Sequence, residues 1–189
     1  MEQAREFWLP VQHIDMQHES FPGLILDLGG GGEGVVGKIS GERVVAIDIN
    51  LKELEETRNS ALKVVMDARN LLFLGDSFDI VTCFFSMMYV PKRDRGQVIA
   101  EAKRVLKPDR NLVFWEAVIP PKEPEDPALF VVPLEITLPE GEVISTGYEV
   151  PWKGQDHNLE EYLEIAESNG LTVEHTETQE NWFKLILRK

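Results

Sequence analysis

Residues Leu24-Ile25-Leu26-Asp27-Leu28 run directly into four consecutive glycines, Gly29 to Gly32. An apolar run of this length, bounded by glycines, predicts a buried strand. The glycines then allow a sharp turn whose backbone N–H groups lie bare, with no side chain to hold a ligand away. A strand, a glycine loop and a following helix form the opening unit of an open α/β sheet, and a nucleotide-type ligand is the usual occupant of the loop.

The rest of the chain continues the alternation. Strands are predicted at Leu24–Asp27, Arg43–Asp48, Leu62–Met66, Phe78–Phe85 and Asn111–Val118. Helices are predicted near Gly34–Ile39, over Leu51–Arg58, and over Arg93–Leu106, where Val98, Ile99, Ala102, Val105 and Leu106 share helical spacing. Pro108 is expected to stop that helix. Such alternation argues a mostly parallel sheet with helices on both faces.

The pattern breaks over residues 119–157, which hold most of the prolines. Leu129–Leu138 and Glu142–Val150 flank the turn sequence Pro139-Glu140-Gly141, so a β-hairpin insertion is expected after the fifth strand. Asn158 then caps a helix over Leu159–Asn169 that Gly170 ends. Leu171–Thr178 and Trp182–Leu187 close the chain as an antiparallel pair. The length of 189 residues favours one domain.

The formal net charge is −14. An acidic surface repels a phosphate backbone and an anionic membrane, so neither nucleic acid nor a membrane is expected as partner. The basic groups Lys92-Arg93 with Arg95, and Lys103-Arg104 with Lys107, read as the solvated face of a helix. Cys83, the single cysteine, sits in an apolar run and reads as a small core residue. The N-terminus lacks the pattern of a secretory signal, and no window has the length of a membrane span, so a cytoplasmic protein is expected.

Gly29, Gly31 and Gly34 satisfy the Gly-x-Gly-x-x-Gly dinucleotide pattern, and Asp48 ends the second strand, where an acid can accept from a ribose diol. Asp27 and Glu33, however, set carboxylates beside a loop that would hold a pyrophosphate, and like charges repel. S-adenosylmethionine carries a sulfonium and an ammonium at that place instead. Asp67 ends the third strand, where a carboxylate can accept from an adenine amino group. Asp27, Asp48 and Asp67 then form a row at the carboxyl ends of three strands, where open α/β sheets bind ligands.

Leu26-Asp27-Leu28-Gly29-Gly30-Gly31-Gly32, Val45-Ala46-Ile47-Asp48, Asp67-Ala68, Phe78-Asp79-Ile80-Val81 and Arg104-Val105-Leu106-Lys107-Pro108 together resemble the ordered motifs of class I S-adenosylmethionine-dependent methyltransferases. The resemblance covers about residues 24–118. It implies a doubly wound, mostly parallel seven-stranded sheet with an antiparallel last strand, here with the hairpin insertion. The whole of 1–189 would be one methyltransferase domain, with 1–23 as an N-terminal lid segment and 119–157 as the insertion. Two departures stand out: Glu33 replaces the family's third loop glycine, and Asp109-Arg110 replaces its glycine pair after Lys-Pro.

Carried over by position, the resemblance implies that Asp27, Gly29 and Gly31 line the methionine and ribose, and that Asp48 binds the ribose hydroxyls. Ile49 would lie against the adenine, Asp67 and Ala68 would read its edge, and Phe84 with Ser86 would flank the sulfonium. Phe84 and Phe85 point to opposite faces of a strand, so one of them is expected in the core. The Asn/Asp-Pro-Pro-Tyr-type motif of enzymes that methylate DNA bases or protein glutamine is absent after the fourth strand, which favours a small acceptor. Met87, Met88 and Tyr89 are candidate pocket lining.

Methyl transfer needs a base only where the acceptor must lose a proton. The candidates are His13 and His157, beside predicted site segments, and Glu116, at the end of the fifth strand. His13 and His18, with Asp15 and Glu19, read as a polar lid rather than a metal site. The insertion residues Phe130, Val131, Val132, Leu134 and Ile136 would either roof the acceptor pocket or form a homodimer interface. A non-catalytic S-adenosylmethionine-binding module and an NAD-dependent oxidoreductase stand as alternatives.

Overall fold

The computed structural model describes residues 6–189. In chain order the strands are β1 (Glu6–Trp8), β2 (Gln12–Asp15), β3 (Ile25–Leu28), β4 (Val44–Asp48), β5 (Leu62–Val65), β6 (Phe78–Phe84), β7 (Leu106–Ala117), β8 (Leu129–Thr137), β9 (Val143–Pro151), β10 (Thr172–Thr178) and β11 (Trp182–Arg188). The helices are α1 (Val35–Ser40), α2 (Leu51–Glu56), α3 (Lys92–Val105) and α4 (Leu159–Ser168).

Seven strands form the main sheet in the order β10-β11-β7-β6-β3-β4-β5. The pairs from β7 to β5 are parallel, whereas β11 lies antiparallel between β7 and β10. The expected sheet is therefore present, with its last strand inserted one place in from the edge. This differs from the all-parallel order of a dinucleotide-binding sheet.

β3, β4 and β6 are almost wholly buried, which explains their continuous apolar runs. One face of the sheet packs on α3 and α4, burying Val98, Ile99, Ala102, Phe114 and Tyr162 in one core. The other face, with Ile25, Ala46, Phe84 and Trp115, packs on α1 and on a second sheet. Helices thus lie on both faces as expected, and on the α1 face the second sheet covers much of the remaining surface.

That second sheet is built on the predicted hairpin. β8 pairs antiparallel with β9 along its whole length, from Leu129 opposite Pro151 to Thr137 opposite Val143. Its other edge takes two N-terminal strands in succession, β1 at Leu129–Val131 and β2 at Leu134–Thr137, both parallel to it. Residues 6–15, expected as part of a lid, therefore extend the insertion sheet. Phe130, Val131, Val132, Leu134 and Ile136 are all buried within the chain, so they are core and supply neither a roof nor an exposed dimer face.

Two boundaries also shift. α3 ends at Val105, and β7 begins at Leu106 and runs through Pro108. Asp109, where the family's glycine pair falls, adopts a left-handed φ of 55°. Arg95 lies on no solvated face: it is fully buried. Its Nη1 donates to Glu161 at 3.0 Å and to the Asp156 carbonyl at 2.9 Å, and its Nε donates to the Val90 carbonyl at 3.2 Å. Asn158 caps α4 as expected, its side chain accepting from the Glu161 N–H at 3.0 Å.

Candidate functional site

A cleft of about 720 Å³ opens at the carboxyl ends of β3, β4, β5 and β6. The glycine loop forms one wall. Gly29 has a φ of +69°, which only glycine adopts without strain. A side chain on Gly30 would meet Asp27 Oδ2 at 2.6 Å and the Ala46 methyl at 2.9 Å, so the loop sits tightly on the sheet. The loop N–H groups are less bare than expected. Those of Gly30, Gly32 and Gly34 donate to the carbonyls of Ile47, Glu53 and Gly31. The N–H groups of Gly31 and Glu33 have no partner among the described residues.

Gly29, Gly31, Asp48, Ile49, Asp67, Ala68 and Phe84 all line the cleft. Asp48 Oδ1 accepts from the Asn50 N–H at 2.8 Å, and Oδ2 has no partner among the described residues. Asp67 is already engaged: Arg69 donates to it from Nε at 3.0 Å and from Nη2 at 2.7 Å. These bonds hold the Asp67 carboxyl below its ordinary range.

Asp27 does not line the cleft. It is buried beneath Gly30, and its Oδ1 accepts from the Thr82 hydroxyl at 2.7 Å. Burial pushes its pKa up to about 7, against the pull of that hydrogen bond. Asp27 therefore shapes the loop from below, because the alternation of β3 turns its side chain into the sheet interior.

The segment after β6 closes the floor. Phe84 and Phe85 are both buried and both reach the cleft, since Phe85 leaves the strand with a φ of 48° and breaks its alternation. Met87 and Tyr89 line the cleft, whereas Met88 is core. Cys83 lies at the floor, with burial pushing its thiol pKa well up, so it is the inert thiol expected.

The roof comes from β9: Thr146, Gly147 and Tyr148 line the cleft opposite the loop. The Tyr148 hydroxyl donates to Glu33 at 2.8 Å, and the Thr146 hydroxyl donates to the other Glu33 oxygen. Sequence reading missed these three. Only the alternation Ser145-Thr146-Gly147-Tyr148 on a predicted strand hints that every second residue shares a face.

Comparison with known proteins bears on this geometry. Residues 26–114 match a family model described as a methyltransferase domain. The chain is similar to that domain from β3 through most of β7, the glycine loop included. Its fold is similar to that of a SAM-dependent methyltransferase from Methanosarcina mazei, at 21% identity and a TM-score of 0.61, covering 87% of this chain and 91% of that one. A similar enzyme from Mesorhizobium loti aligns at 17% identity and a TM-score of 0.63, covering 88% and 90%. One from Aquifex aeolicus aligns at 17% identity and 0.60, covering 87% and 81%. No curated protein sequence matches the chain.

The residues present fit S-adenosylmethionine. Glu33, Asp48, Glu53 and Asp67 are the carboxylates of the cleft lining, and among the described residues Arg69 is its only basic side chain. Arg69 is held by Asp67 and by Asp94, the latter at 3.0 Å. A pyrophosphate would meet carboxylates here, whereas the cationic methionine end of S-adenosylmethionine finds complementary charge.

None of the three candidate bases lines the cleft. His13 lies exposed on β2, its Nδ1 at 3.1 Å from Glu135. It is far from the site because β2 pairs on the edge of β8 away from β9. His157 is buried, bridged to Ile119 through backbone hydrogen bonds in both directions. Burial beside the Arg95 charge pushes its pKa down to about 3, so its ring is neutral.

Glu116 is also buried, under the floor. Its Oε1 accepts from the N–H groups of Ser86 at 3.1 Å and Met87 at 2.8 Å. Burial pushes its pKa up to about 7. His157 Nε2 stands 4.0 Å from Glu116 Oε2, too far for a hydrogen bond, and both groups shift toward their neutral forms. Glu116 thus fixes the turn that faces the cleft. Among the described residues no cluster of His, Cys, Asp and Glu could hold a metal ion, and no helix is long and apolar enough to cross a membrane.

Proposed function

We propose that this domain methylates a small molecule held between the glycine loop, the Phe84–Tyr89 segment and the β9 roof. The observation that carries the reading is the roof: Thr146, Gly147 and Tyr148 line the cleft, and Thr146 and Tyr148 tie β9 to Glu33 of the glycine loop. A folded polymer end would need that side open.

In this reading the Asp48 carboxylate accepts from the ribose hydroxyls, and the Ala68 N–H with Asp67 reads the adenine edge, over Ile49. Gly29 and Gly31 bring the loop backbone against the methionine part, with Asp27 supporting them from below. Phe84 and Ser86 flank the sulfur. S-adenosylmethionine supplies an activated methyl group when bound. The chain's own part is alignment: Glu116 holds the Ser86–Met87 turn, and the aromatic floor excludes water from the methyl. No side chain of the cleft needs to act as a general base. The net charge of −14 further supports a small acceptor over nucleic acid.

The test is methyl-labelled S-adenosylmethionine with fractionated extract. Label is expected in the small-molecule fraction. Label found only in nucleic acid or protein would overturn the reading.

A further inference from the structure

We propose that the acceptor is a cationic amine, recognised by the fixed Glu33 carboxylate together with the aromatic walls of the cleft. The proposal rests on the reading of this cleft as a methyltransferase site and adds the chemistry of what it takes.

Glu33, between Gly32 and Gly34, is the one carboxylate carried by the glycine loop itself. It lines the cleft, and each of its oxygens accepts one hydrogen bond from β9, from Thr146 and from Tyr148. Two donors orient the carboxylate and leave lone pairs on both oxygens, since a carboxylate offers about four acceptor sites. The surrounding surface is aromatic. Phe85 lies 5.0 Å from Phe84 and 6.2 Å from Tyr148 between ring centroids, and Tyr89 completes the wall. Ring faces attract cations, most strongly where water is excluded.

The electrostatics agree. The Tyr89 ring is half exposed, but partial desolvation of its hydroxyl pushes the pKa up, and the negative charges of Glu33, Glu116, Glu53 and Glu149 push it further. Among the described residues the only basic side chain of the lining, Arg69, sits by Asp67 and is tied to two aspartates. A carboxylate or phosphate acceptor would find no counter-charge at the Glu33 end. An ammonium finds a carboxylate and π faces.

The chemical step balances. The bound ammonium releases one proton to solvent. Its nitrogen lone pair then forms the N–C bond to the methyl carbon as the C–S bond breaks, its electron pair staying on sulfur. The products are an N-methylammonium and the neutral thioether S-adenosylhomocysteine.

Phenethylamine, phenylacetate and phenethyl alcohol, matched in size, are titrated into the protein saturated with S-adenosylhomocysteine, with calorimetry as readout. The amine is expected to bind at least about tenfold more tightly than the other two. Glu33→Gln should weaken the amine by about tenfold, the scale of a hydrogen bond to a charged group, and by at least about threefold more than it weakens S-adenosylhomocysteine. Tyr148→Phe, which keeps the ring and frees Glu33, should weaken the amine by about threefold. Equal or tighter binding of the acid or alcohol overturns the proposal while the methyltransferase reading stands. So does a Glu33→Gln variant that loses S-adenosylhomocysteine as strongly as the amine, since Glu33 would then read the cofactor. Failure of the wild-type protein to bind S-adenosylhomocysteine overturns both.

Discussion

Arg95→Ala should destabilise the fold by about 3–5 kcal/mol, the scale for removing one partner of a buried ion pair. Arg95 is fully buried and its guanidinium joins three places: α3 itself, the segment Gln155–Asp156 that returns from the insertion, and Glu161 at the start of α4. Truncation leaves the Asp156 and Val90 carbonyls without this donor and the Glu161 carboxylate without its buried partner. Urea unfolding followed by far-UV circular dichroism measures the change. A loss below about 1 kcal/mol would mean that water or Lys92 replaces the guanidinium freely, and the buried-anchor account of this corner would be wrong.

Asp48→Ala should weaken S-adenosylhomocysteine by about 100-fold, since two ribose hydroxyls lose a charged acceptor at about 1.5 kcal/mol or more each. The fold should hold. Asp48 is only half-buried at the end of β4, and among the described residues its carboxylate accepts only from the Asn50 N–H. Calorimetric titration alongside thermal unfolding separates the two effects. Affinity within threefold of wild type would remove Asp48 from the ribose site.

Much of the main sheet was legible because its buried parallel strands are continuous aliphatic runs, as in Val44–Asp48 and Phe78–Phe84. The strand-end positions of Asp48 and Asp67 followed from the same runs. Asp27 was placed at the right strand but given the wrong direction: four buried residues in a row conceal which side of β3 meets the ligand. Arg95 was misread by charge alone. It stands three, four and seven residues before Val98, Ile99 and Ala102, which puts it on the buried face of α3. Glu116 likewise follows Leu112 and Phe114 at a spacing of two, on the core face of β7.

The N-terminal strands were not legible. β2 has only four residues, and its parallel partner lies about 120 positions along the chain, so no local pattern announces the pairing. The Glu33 contacts depend on that same sheet. Nothing short of the register of β9 puts Thr146 and Tyr148 over the glycine loop.

Direct titration of the wild-type protein with S-adenosylhomocysteine, with NADH as the competing ligand, tests the central claim that the cleft seats an adenosyl cofactor with a cationic methionine end. The account predicts saturable, one-to-one binding of S-adenosylhomocysteine at micromolar concentration, unaffected by NADH. No binding at millimolar concentration, or displacement by NADH, would contradict it.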